Sequence, residues 1–212
     1  MLAAGLAACS SSGSSSGASN TNTGAATTGK TLVMESSPES TITQSFNPFV
    51  PTGAPWGMGA TGLIYEPLIQ FNLAAPPKYY PWLATSYKWS NGGKTLTFAI
   101  RQGVKWNDGQ AFTPADVVFT FNMLKKTAAV NLNGVKYDQV SASGNNVVLN
   151  FATPQFTNLQ SIAGTAMVPE HIWKSISNPA TFADPSPVGT GPMKLSSFTP
   201  QGFTLAKNPS YW

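Results

Sequence analysis

The sequence is poor in the side chains that most chemistry uses. It has one cysteine and one histidine in 212 residues, and only 9% of its residues are charged. A single cysteine, Cys9, excludes an internal disulfide. A single histidine, His171, leaves a zinc or nickel site without its usual set of ligands, so no metal or cofactor is expected and His171 reads as structural. There is no G-x-S-x-G elbow and no H-E-x-x-H helix, and no cysteine stands in the body of the chain to pair with His171. No catalytic residue can be named, which points away from an enzyme. Twelve Lys and Arg against eight acids give a formal charge of +4. Apart from Lys125-Lys126 these basic residues are scattered, whereas a nucleic-acid partner would need them clustered on one face. After the first nine residues, no run approaches the roughly eighteen apolar residues of a membrane span.

What is present begins with "MLAAGLAAC", an apolar run of small residues ending at Cys9. It resembles the lipobox of a bacterial lipoprotein signal peptide, which implies lipidation of Cys9. The basic segment that should precede such a run is missing, so the start is expected to be truncated or misplaced. Residues 10–29, "SSSGSSSGASNTNTGAATTG", carry no charge and nothing larger than Asn or Thr. Such a stretch cannot bury enough apolar surface to offset the entropy of ordering it, and it reads as a flexible tether. An acyl anchor contributes about 0.8 kcal/mol per buried CH2. The body is therefore expected outside the cytoplasm, lipid-anchored at the outer face of the plasma membrane or in the periplasm.

The body mixes strands and helices. Residues 30–36 read as a short strand, and "SFNPFVPTGAP" as a loop held extended by its prolines. Across "WGMGATGLIYEPLIQFN" a helix broken near Pro67 is expected, with Trp56, Leu63, Ile64 and Leu68 in the core. Leu96, Phe98 and Ile100 alternate with Thr95, Thr97 and Arg101, the period of a half-buried strand. Asn91-Gly92 predicts a tight hairpin turn between that strand and "TSYKW". A second strand pair is expected over 135–142 and 147–151. Short helices are expected in "PQFTNLQSIAG" and "VPEHIWKSI", then a Gly- and Pro-rich crossing, then strands over 193–198 and 203–207.

Two acids stand out in "VKWNDGQAFTPADVVF". Asn107-Asp108-Gly109 has the chemistry of a turn. Thr113-Pro114-Ala115-Asp116 is a helix start, with an N-cap, a proline at the first position and an acid at the third. Val117, Phe121 and Leu124 then share one helix face. Both acids read as scaffold rather than as paired catalytic carboxylates.

"YEPLI" (65–69), "PWLATSYKWSNGGKTLTFAIRQGVKWNDGQAFTPADVVFTFN" (81–122), "VPEHIW" (168–173), "VGTGPMKL" (188–195) and "KNPSYW" (207–212) resemble, in order and spacing, the family 5 extracellular solute-binding proteins. The resemblance implies an α/β fold, the two-lobed clamp of type II periplasmic binding proteins. Only part of lobe I (30–66, returning at 188–212) and the additional family domain (67–187) would be present, so the sequence looks like an N-terminal fragment. It implies no enzyme activity but capture of peptides or similar solutes for an ABC permease in the membrane. A solute sensor on the same fold, or a receptor for oligosaccharides or nickel chelates, stays open. The family takes ligand contacts from the loop after its first strand. The matching positions are Thr43, Gln44, Ser45 and Phe46, with Trp56 as a weaker candidate.

Overall fold

The computed structural model describes residues 41–74 and 78–212. Cys9, the 10–29 segment and the strand expected at 30–36 lie outside them. In chain order the elements are helices α1 (Ala54–Gly57) and α2 (Ala60–Ile64), strands β1 (Ile69–Asn72), β2 (Lys78–Pro81), β3 (Ala84–Ser90) and β4 (Thr95–Ile100), and helix α3 (Pro114–Lys126). Strands β5 (Gln139–Ser143) and β6 (Asn146–Asn150), helices α4 (Leu159–Ala163) and α5 (Glu170–Trp173), and strands β7 (Met193–Thr199) and β8 (Gly202–Lys207) follow. Every strand pair is antiparallel.

The core is built on a four-stranded sheet ordered β3-β4-β6-β5. Alternation along β4 turns Leu96, Phe98 and Ile100 inward, and register places Leu96 opposite Leu149 and Phe98 opposite Val147 on β6. Helix α3 packs on β5 and β6, burying Val117, Phe121 and Leu124. Each fully buried side chain of that size contributes about 1.5–3 kcal/mol. The β3–β4 turn is one 3-10 turn, Asn91–Gly93, rather than a two-residue loop. All three of its residues have positive φ, which Asn and Gly tolerate best.

Asp116 does more than its sequence position indicates. One carboxylate oxygen accepts the Thr113 N–H at 2.8 Å and the Thr113 hydroxyl at 3.1 Å. The other accepts the Glu170 N–H at 3.0 Å, so one acid serves the starts of both α3 and α5. The acid is buried rather than exposed, and its role is nevertheless capping. Asp108 accepts the Gln110 N–H at 3.0 Å in its turn and meets His171 Nε2 at 2.7 Å near the surface.

Several expectations are corrected. Helix and proline separate: α2 ends at Ile64, and Pro67 forms a bridge with Ala166 ahead of the β1–β2 hairpin, which the periodicity did not show. Ile64 and Leu68 are fully buried, but Trp56 and Leu63 are 43% and 38% exposed. Both helices are single turns that bury one side only; in α2 that side is Ala60, Thr61 and Ile64. The strand expected to begin at Val135 begins at Gln139. Val135 and Tyr137 are buried through irregular backbone instead.

Two contacts fasten residues late in the sequence onto this core. The buried Glu66 carboxylate accepts Trp82 Nε1–H at 2.7 Å, Tyr211 O–H at 2.9 Å and Trp212 Nε1–H at 3.0 Å. The crossing through Gly189 and Gly191 lies directly on the end of α2, where Gly191 N–H donates to Ile64 O at 2.8 Å. A Cβ at Gly189 would stand 1.9 Å from Ile64 O. Gly189→Ala is therefore expected to cost about 2 kcal/mol or more, whereas Gly57→Ala, whose Cβ meets nothing, costs none; urea denaturation measures both. By the same assay Glu66→Ala should lose about 2 kcal/mol by stranding its donors, with Glu66→Gln losing less because one acceptor oxygen survives.

Candidate functional site

Beside α1 and α2 lies a groove of about 330 Å³. One wall is α1 and α2 with the loop before them, contributing Pro48, Phe49, Trp56 and Tyr65. The other is the turn after α3, Val130 to Asn133, together with Gly164 to Ala166 after α4. Beside it lies a second hollow of about 290 Å³, lined by Ile69, Gln70 and Phe71 of β1 and by Gln160 and Ser161 of α4. The two hollows share Pro67, Gln70, Asn133 and Gly164, which makes them one continuous depression. Asn133 Nδ2–H donates to Ser161 O at 3.2 Å and ties the turn to α4.

Trp56 stands on the one-turn helix α1 and is 43% exposed. An exposed tryptophan in a concave site is what recognition surfaces use, because the flat ring offers contact area at low entropic cost. No Asp, Glu, Lys, Arg or His lines either hollow. Among the described residues no group of three or more His, Cys, Asp or Glu could hold a metal, and no helix is long and apolar enough to cross a membrane.

Tyr65 links the groove to the crossing behind it. Its hydroxyl donates to a carboxylate oxygen of Asp184, and both residues are 2% exposed. Burial pushes Asp184 up to about 6, partly opposed by the hydrogen bond from Tyr65. Burial, and secondarily the charge of Asp184, raises the Tyr65 hydroxyl well above its ordinary value.

The residues expected to touch ligand are dispersed. Phe46 is fully buried, with Phe198 and Phe203 edge-to-face on it at 6.4 and 5.3 Å. Gln44 spends its amide on Pro185 O at 2.8 Å and borders a separate hollow against β7. Thr43 is exposed and Ser45 half-buried. None of these four lines the groove beside α1 and α2; the weaker candidate, Trp56, does. Asn131, Asn133, Gln70 and Gln160 were not singled out by sequence, because amides scattered over 90 residues carry no local motif. Only the fold assembles them.

Comparison with known proteins bears on this geometry. The profile described as "Bacterial extracellular solute-binding proteins, family 5 Middle" matches residues 78–212. The chain belongs to this family. A peptidoglycan-binding protein, YepA of Agrobacterium fabrum, is 31% identical over 79% of the chain and 29% of its own length. The oligopeptide-binding protein OppA of Bacillus subtilis is 29% identical over 70% of the chain and 31% of its own length. Among solved structures, a Thermotoga maritima periplasmic oligopeptide-binding protein with bound mannohexaose superposes with a TM-score of 0.71. It is 28% identical, covering 81% of this chain and 32% of that one. The chain thus spans about a third of the length of these family 5 relatives. The fold is a mixed α/β part of the type II periplasmic-binding-protein architecture.

Asp184 gives a pH prediction. Its folded-state value lies above the ordinary 3.8, so between those two values the folded chain holds a proton that the unfolded chain releases. Stability must then fall as pH rises from about 4 to 6 and level off above. Asp184→Asn should flatten that slope in denaturant titrations at stepped pH; an unchanged slope would refute the assignment.

Proposed function

We propose that this family 5 protein is the solute-binding component of an ABC importer, not an enzyme. It captures peptides or solutes of similar size outside the cell and delivers them to a membrane permease. Family membership supports the class of activity, and the groove beside Trp56 supports the place. It is concave and has a part-exposed aromatic ring, Trp56. The ligands of its relatives, oligopeptides and a mannose oligomer, mark the range of solutes the reading admits. In this reading residues 30–66 and 188–212 belong to lobe I and 67–187 to the additional domain. A clamp of this kind works by closing a second lobe over the solute, which biases an open–closed equilibrium. Lipidation at Cys9, followed by the 10–29 tether, would hold the receptor at the outer face of the membrane.

Trp56 and the residues around it form the proposed contact surface, while Thr43, Gln44 and Ser45, in the loop before α1, are kept as a second proposed contact region outside this groove. Calorimetry of the full-length protein against pooled short peptides and oligosaccharides should detect a ligand that is recovered chemically unchanged. Trp56→Ala should weaken binding about tenfold or more, the loss typical of a buried aromatic anchor, and Gln44→Ala should weaken it less. Turnover of the ligand would overturn the receptor reading. A larger loss in Gln44→Ala than in Trp56→Ala would move the site to the Thr43–Ser45 loop.

A further inference from the structure

At the end of α3 lies a hollow of about 460 Å³ that the receptor reading does not use. It shares only Leu124 and Asn131 with the groove beside Trp56, and its volume is that of a small-molecule site. The last turn of α3 forms one side, and the loop that carries the chain toward β5 forms the other. Two contacts close that loop. Gly134 N–H donates to Asn131 O at 3.0 Å, and Asn131 Nδ2–H donates to Val135 O at 2.8 Å.

The lining has two halves. Leu124, Ala128 and Val135 are apolar, while Lys125, Lys136 and Tyr137 bring two ammonium groups and a phenol. No Asp or Glu lines the hollow, and among the described residues neither lysine pairs with a carboxylate. Lys125 donates to Asp138 O and sits with Lys126 at the negative end of the α3 dipole, which offsets part of its charge. Lys136 stands outside the helix and is exposed.

Tyr137 decides what the hollow can hold. It is 5% exposed, its ring set against Phe121 and Phe151 at centroid distances of 5.2 and 5.8 Å. A buried phenol usually finds a hydrogen-bond partner, yet among the described residues nothing bonds to this hydroxyl. Nor is it one of the unpartnered side-chain atoms sealed from solvent there, which are Trp106 Nε1, Asn107 Nδ2 and Thr190 Oγ1. It therefore opens onto the hollow that Tyr137 lines. Burial raises it above the ordinary tyrosine value, so it stays an O–H donor at neutral pH. A neutral apolar ligand would leave these donors unused, and a cation would be repelled. A carboxylate accepts from phenol and ammonium alike.

We infer that this hollow is a second binding site, for a fatty acid whose carboxylate accepts from Tyr137 and Lys136 while its chain lies along Leu124, Ala128 and Val135. The apolar half favours an acyl chain over a peptide, whose main-chain N–H and C=O groups would be desolvated against side chains that offer them no partner.

The test is calorimetry of the full-length protein with octanoate and dodecanoate, below the concentrations at which they form micelles, against 1-octanol and acetyl-leucyl-leucine. At least one fatty acid should bind, and 1-octanol should bind at least tenfold more weakly. Tyr137→Phe keeps the ring and removes only the donor, so it should weaken the acid about threefold to tenfold, the loss expected for one hydrogen bond. Lys136→Met should weaken it by at least as much, whereas Lys88→Met, which removes the same charge from β3, should leave it unchanged. Urea denaturation should find Tyr137→Phe as stable as the parent, because the lost hydroxyl has no partner in the protein; this separates lost affinity from lost fold. The inference fails if neither acid binds, if 1-octanol binds as tightly, or if Tyr137→Phe or Lys136→Met keeps full affinity. Acetyl-leucyl-leucine binding as tightly as octanoate would overturn the acyl assignment. Each of these failures leaves the receptor reading, which rests on the groove beside Trp56, standing.

Discussion

The fold depends on one buried carboxylate. Glu66 sits where α2 hands the chain to β1, and its two oxygens take hydrogen bonds from Trp82, Tyr211 and Trp212. Its backbone oxygen also accepts the Met167 N–H at 3.0 Å. Segments far apart in sequence are thus held at one point. The Arg101 guanidinium lies 4.7 Å from the Trp212 ring and donates to Trp82 O at 2.6 Å, which completes the cluster. A carboxylate removed from water is tolerable only when hydrogen bonds replace its hydration, and here indole and phenol donors do so. The groove follows from this arrangement, because the corner at Glu66 fixes both Tyr65 on one side and Pro67 on the other as lining residues.

Much of the scaffold was legible in the sequence for local reasons. The β4 alternation and the Thr-Pro-x-Asp helix start each encode their geometry within a few residues, and the structure repeats them, while the Asn-Gly turn widens to the three residues Asn91–Gly93. Trp56 and Leu63 were misplaced because periodicity within a glycine-rich stretch cannot say which face of a one-turn helix meets the core. The β1–β2 hairpin escaped notice because β2 is exposed along its length and so has no buried face to produce a pattern.

The site was less legible than the scaffold. The family likeness pointed to Thr43 through Phe46 in the loop after the first strand; Phe46 packs on Phe198 and Phe203 and Gln44 donates to Pro185 O, away from the groove beside Trp56. The groove amides come from β1, from the turn after α3 and from α4. No short motif can announce a surface assembled from such distant parts. Composition did carry one part of it: a chain with few charges and many neutral polar side chains produced a neutral, amide-lined depression.

The shared acceptor at Asp116 has a consequence for how the molecule opens. Because the same carboxylate holds Thr113 at the start of α3 and Glu170 at the start of α5, neither end can fray without disturbing the other. Local unfolding should engage both helices as one unit, and slow amide exchange at these two positions would rise and fall together. A side chain chosen to begin one helix has thereby become the joint that keeps two of them in step.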